Sequence, residues 1–107
     1  MNALFLCGKA RARSPTCADL ATSWGIASDF AGLSADADEK VGVEHLDWAD
    51  IVFVMEARQR KRLQALFPAA LRGKRLVVLN IPDRFARNDP ALVALVTPKL
   101  RVALRQD

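Results

Sequence analysis

The sequence predicts an α/β fold in which a parallel sheet is layered between helices. Three observations point there. Apolar runs at 3–6, 51–55 and 76–79 carry no polar alternation, as expected of strands covered on both faces. Segments with helical apolar spacing lie between them. Gly8, Gly25, Pro68, Gly73 and Pro90 punctuate the switches from one kind to the other. Strands that alternate with helices pair in parallel, because each helix carries the chain back across the sheet.

The elements follow in order. Residues 2–6 form a short buried strand ending at Cys7. Residues 14–24 form a helix with Ser14 as its cap, Pro15 at the first helical position, and Leu20, Ala21 and Trp24 as an apolar stripe. A weaker strand covers 26–33, and the small, acidic stretch 34–38 is a loop. A second helix is expected over 39–50, with Val43, Leu46 and either Trp48 or Ala49 inward, although Gly42 weighs against it. Residues 51–55 give the clearest strand. The helix at 57–67 has a basic outer side and Leu63, Leu66 and Phe67 inside. The last strand is 76–79. Residues 80–89 form a loop, and Pro90 opens a helix reaching Leu104 that Pro98 bends or splits. The expected architecture is a three-layer α/β/α domain over 1–107 with a four-stranded parallel sheet. Ligands of such sheets sit beyond the carboxyl ends of the strands. Cys7 closes the first strand there, and loop 80–89 leaves the last.

Composition narrows the function. With 107 residues, 51% of them apolar, the chain can form one core without staples. No stretch is long and apolar enough to span a bilayer, and the first residues lack a signal-peptide pattern. A soluble, cytoplasmic protein with no membrane partner is expected. Two cysteines, one histidine and no C-x-x-C pair argue against a disulfide framework or a zinc site. No metal or cofactor is expected. The net charge of +4 favours anionic partners. Arg58, Arg60, Lys61 and Arg62 read as the solvated side of a helix, or as a docking patch for acidic partners, and not as a nucleic-acid reader.

The chemistry concentrates in Cys7-Gly8-Lys9-Ala10-Arg11-Ala12-Arg13-Ser14. A loop of this length between strand and helix can curl its backbone N–H groups around a tetrahedral anion at the positive end of the helix. The same field favours a cysteine thiolate. Arg13 offers a planar fork to two phosphate oxygens, and Ser14 can hydrogen-bond the sulfur. Lys9 and Arg11 add positive potential at the entrance. The bare spacing is weak evidence, since eleven arginines make a chance Cys-x5-Arg easy. Its placement at the ligand edge raises it, and on the residues alone a catalytic loop and a chance loop remain level.

The chain resembles the low-molecular-weight protein tyrosine phosphatase family, closest to a short branch of it. The resemblance rests on Leu4-Phe5-Leu6-Cys7, on Arg13-Ser14-Pro15-Thr16, on the passage from Leu46 through Asp50 into Ile51–Glu56, and on Asn80-Ile81-Pro82-Asp83-Arg84-Phe85. It implies a metal-independent phosphatase with no cofactor that hydrolyses phosphate monoesters, protein phosphotyrosine among them, through a phosphocysteine. Its partner would be a phosphorylated protein or a small phosphate monoester. By this resemblance Cys7 is the nucleophile, Arg13 the phosphate clamp and Asp83 the general acid, with Asp89 as the fallback. Gly8, Lys9, Ala10, Arg11, Ala12 and Ser14 line the phosphate, and Phe85 meets a substrate ring. The chain departs from the family pattern at Ala10, where asparagine is usual, and at Ala12, where a second cysteine is common. Arg84 and Phe85 replace proline and tyrosine, and the substrate wall after the second strand is short.

Two other functions fit less well. One is a phosphate- or phosphopeptide-binding module without efficient turnover. The other is an arsenate reductase, which would need relay cysteines that do not occur after Cys17. Cys17 itself reads as a small core filler or a backdoor thiol. His45, Trp24 and Trp48 read as packing residues, and Asp89 as a helix cap.

Overall fold

Every residue of the central strand from Ala3 to Cys7 is buried, so the sheet must be covered on both sides. A computed structural model describes residues 1–105. This strand, β1 (Asn2–Cys7), is flanked by β2 (Ala27–Gly32) on one edge and β3 (Ile51–Val54) on the other, with β4 (Arg75–Val78) beyond β3. All three pairings are parallel. The helices α1 (Arg13–Ser23), α2 (Val43–Trp48), α3 (Ala57–Leu66) and α4 (Pro90–Leu104) alternate with the strands as the sequence predicts.

Side-chain alternation along the strands builds two cores. Ala3, Phe5 and Cys7 share one face with Ile51, Phe53 and Met55, and pack against Cys17, Ala18 and Ala21 of α1 and Leu92, Val96 and Leu100 of α4. Leu4, Leu6, Val52 and Val54 face Leu46 of α2 and Leu63 of α3. Phe5 and Phe53 are paired in register, and their rings stack with centroids 4.7 Å apart. Burying each ring is worth about 1.5–3 kcal/mol. The chain leaves β1 towards one face and β3 towards the other, which opens a crevice at the carboxyl ends of these two strands.

Four expectations need correction. The helix expected over 39–50 shrinks to Val43–Trp48, because 39–41 runs extended along the end of β2: Gly32 N donates to Glu39 O at 2.7 Å and Val41 N to Gly32 O at 2.9 Å. Val41 is therefore buried in place of Val43, and Ala49 turns inward while Trp48 stays exposed. Leu66 is also exposed, on the last turn of a short helix, with Phe67 half-buried beyond it. The first helix begins at Arg13 with Ala12 at its cap position, so Ser14 lies inside it. Finally, α4 runs unbroken through Pro98, with Asp89 capping it by accepting from Ala91 N at 2.9 Å. Among the described residues no helix is long and apolar enough to cross a membrane.

Candidate active site

The loop after β1 is held from outside through its carbonyls. Cys7 O, Gly8 O and Lys9 O accept from Leu33 N (2.9 Å), Ser34 N (2.9 Å) and Asp38 N (3.1 Å). The N–H groups of Gly8 to Ala12 donate to no described protein group, which leaves them available to an anion. Gly32 makes the close packing feasible, since a Cβ there would sit 2.6 Å from both Gly8 O and the Ala37 methyl. Ala10 is buried with φ +62°, a left-handed conformation that costs a non-glycine residue about 1–2 kcal/mol and suits the asparagine of the family pattern better.

A cavity of about 260 Å³ opens above this loop, lined by Cys7, Gly8, Lys9, Arg11, Ala12, Arg13, Ser34, Arg58, Gln59 and Asp83. At its floor Cys7 Sγ and Ser14 Oγ are 3.0 Å apart. Ser14, expected both to cap the helix and to hydrogen-bond the sulfur, is wholly buried and makes the second contact alone. Arg13 is buried too. Its Nη1 donates to Glu56 Oε2 at 2.7 Å and to Ile81 O at 2.8 Å. Its Nε and Nη2 make no hydrogen bond with a described group, and no described buried side-chain polar atom lacks a partner, so this edge of the fork reaches solvent in the cavity.

Asp83 approaches from the loop after β4, its Oδ1 3.8 Å from Arg13 Nε and its side chain largely exposed. That loop is tied down on both sides of Asp83, by Ile81 N to Met55 O at 2.9 Å and by Asn88 N to the buried Thr16 Oγ1 at 2.9 Å. The structure thus gathers Cys7, Gly8, Lys9, Arg11, Ala12, Arg13 and Asp83 around one cavity. Ser14 lies beneath it and Ala10 within the loop. Phe85 is not in the lining: its ring packs against the core, with the Arg84 guanidinium 5.4 Å from its centroid.

Two side chains that the sequence reading passed over brace the floor. Glu56 pairs with Arg13, and Arg13 first and Arg58 second hold its carboxyl below the usual carboxylate range. Gln59 Oε1 accepts from Met55 N (2.9 Å) and Glu56 N (3.1 Å), capping α3 and fixing where Glu56 points. The Glu-x-x-Gln spacing ahead of a helix was the available signal. At the rim, Lys9 pairs with Asp36 (3.3 Å) and Arg11 with Asp38 (3.1 Å), so much of their expected positive potential is offset by the acidic loop.

The remaining candidates are structural. Both cysteines are free, and burial pushes the Cys17 thiol up to about 12, with Cys7 adding to the rise, so Cys17 is a poor relay nucleophile. His45 Nδ1 accepts from Gly42 N at 3.0 Å at the start of α2.

No protein-family model matches the sequence, and no curated protein does. Solved structures match it along nearly its whole length. YwlE arginine phosphatase from Geobacillus stearothermophilus superposes with TM-score 0.70 at 20% identity, covering 99% of this chain and 97% of that one. The tyrosine phosphatase Wzb from Escherichia coli K30, in complex with phosphate, gives TM-score 0.74 at 20% identity over 99% and 98%. The Drosophila arginine phosphatase gives 0.77 at 13% identity over 98% and 96%. With its strand order β2-β1-β3-β4 and the Cys-x5-Arg loop at the carboxyl end of β1, the chain has the low-molecular-weight protein tyrosine phosphatase fold.

Proposed function

We propose that this chain belongs to the low-molecular-weight protein tyrosine phosphatase family and hydrolyses phosphate monoesters through a phosphocysteine on Cys7. The observation that carries this reading is the convergence of Cys7 Sγ, the open edge of Arg13 and the Asp83 carboxylate on one small cavity. Solved phosphatases of the same fold support it.

In this reading Arg13 and the free loop N–H groups hold the three non-bridging phosphate oxygens. Cys7 sulfur attacks phosphorus, the bond to the leaving oxygen breaks, and Asp83 donates its proton to that oxygen. The Asp83 carboxylate then takes a proton from water, whose oxygen bonds phosphorus as the S–P bond breaks. Inorganic phosphate leaves, and sulfur and carboxyl return to their starting states. The charge in flight stays on the equatorial oxygens, so the loop's positioned donors and Arg13 supply the stabilisation and the scheme uses no metal.

The lining holds no aromatic ring, so the phosphate group carries recognition and a tyrosine ring contributes little. The solved phosphatases with this fold include both tyrosine and arginine phosphatases. A phosphate-binding module with slow turnover is the second reading, favoured by the strained Ala10 in the loop.

Steady-state hydrolysis of p-nitrophenyl phosphate decides between them. Wild type turns over with a burst of phosphoenzyme. Cys7→Ser loses about 10³-fold or more. Asp83→Asn slows alkyl phosphates more than aryl ones, because the poorer leaving group needs the proton more. Full activity in Cys7→Ser refutes the covalent route. Phosphate binding without any turnover in wild type favours the binding module.

A further inference from the structure

A second, larger cavity of about 450 Å³ adjoins the first and shares Gly8, Ser34, Arg58 and Gln59 with it. Its lining adds Arg62, one turn along α3 from Arg58. Gln59 lies at the junction and is 94% buried, being 6% exposed. Both backbone donors go to its Oε1, which orients the amide and leaves Nε2 without a described partner. No described buried side-chain polar atom is unsatisfied, so this N–H₂ group reaches solvent, on a residue that lines both cavities. Arg60, Lys61 and Arg62 form no ion pair with a described residue, whereas Arg58 is pinned by Glu56.

From this geometry we propose that the groove formed by Gln59 Nε2, Arg58 and Arg62 binds an acidic side chain of the substrate polypeptide, close in sequence to the phosphorylated residue. The proposal rests on the phosphate site described above. Beside Gly8, Leu33, Ser34 and Ala35 the groove's lining carries Arg58, Gln59 and Arg62 and no carboxylate, and an acidic side chain complements these donors. The two cavities share four lining residues, so the acidic residue lies close in sequence to the phosphorylated one.

The test uses two phosphotyrosyl peptides, one flanked on both sides by aspartates and one by asparagines, titrated calorimetrically into Cys7→Ser protein and into Cys7→Ser/Arg62→Gln protein. The expected result is roughly five- to tenfold tighter binding of the acidic peptide, a preference that shrinks severalfold with Arg62→Gln and fades with added salt. Equal affinity for both peptides, or a preference untouched by Arg62→Gln, overturns the proposal. Because the readout is binding, a failure of wild type to hydrolyse p-nitrophenyl phosphate counts against the phosphatase reading and leaves this test intact.

Discussion

The floor and the rim of the cavity are both rich in charge, yet they are built in opposite ways. At the floor Arg13 is 3% exposed and its fork is fixed by a carboxylate and a carbonyl at 2.7 and 2.8 Å. At the rim Lys9 and Arg11 are more than half exposed and pair with carboxylates more exposed still. Away from water a hydrogen bond is stronger and its absence costs more. Exposed pairs are worth about 0–1 kcal/mol and yield to salt. The floor therefore sets geometry, and the rim adjusts the field around it.

The largest effect expected from this contrast is at Arg13. Arg13→Lys keeps a cation beside Glu56 and so preserves the fold, but it loses the planar fork whose outer edge faces the cavity. Turnover of p-nitrophenyl phosphate should fall roughly a hundred- to a thousandfold, in line with loss of a preorganised donor to a developing oxyanion. A loss below tenfold would mean that Arg13 is not positioned on the reacting phosphate.

The residues gathered at the floor were legible because they are local: Cys7, Arg13 and Ser14 fall within eight residues at a strand-to-helix turn. Asp83 is distant in sequence and was singled out by the family resemblance, with only the position of its loop following from strand–helix alternation. The braces were not legible in the same way. Glu56 meets Arg13 across 43 residues only because β3 lies beside β1, and strand order is not written in any one segment. Gly32 matters because the loop after β1 presses on the end of β2, a tertiary closeness with no periodic signature. Among the elements, apolar runs located the strands well, since two-sided burial leaves them no polar positions. The second helix was overread. Val43 lies at helical spacing from Leu46 and suits an inward stripe, but the extended 39–41 segment pairs its backbone with Gly32 and buries Val41 instead.

A smaller effect separates floor from rim by pH. Glu56 has its folded pKa lowered by Arg13 and Arg58, so its contribution to stability is complete above its unfolded value of about 4.3 and is lost as pH falls through the lower folded value. Denaturant melts of wild type and Glu56→Gln should therefore differ most at neutral pH and converge only in acid, once the pH falls below the lowered folded value. A gap that persists unchanged into strong acid would show that the pair with Arg13 contributes nothing through ionisation. Asp36 is also held below its ordinary value, by Lys9, but it is exposed, and Asp36→Asn should leave the melts nearly superimposed across the range.

The smallest expected change is in affinity and comes from the rim. Asp36→Asn with Asp38→Asn releases Lys9 and Arg11, both of which line the cavity, from their carboxylates. Stability should hardly shift, because both pairs are exposed and screened by solvent. The freed cations should lower KM for a doubly charged phosphate ester about two- to threefold at low ionic strength, with kcat unchanged, since a field at the entrance acts on binding before the floor acts on chemistry. The gain should vanish towards 1 M salt, where screening reaches only about 3 Å. A change in kcat instead would place the acidic loop in control of the floor, most directly through the Asp38 N–H that holds Lys9 O, and would erase the division of labour between the two layers.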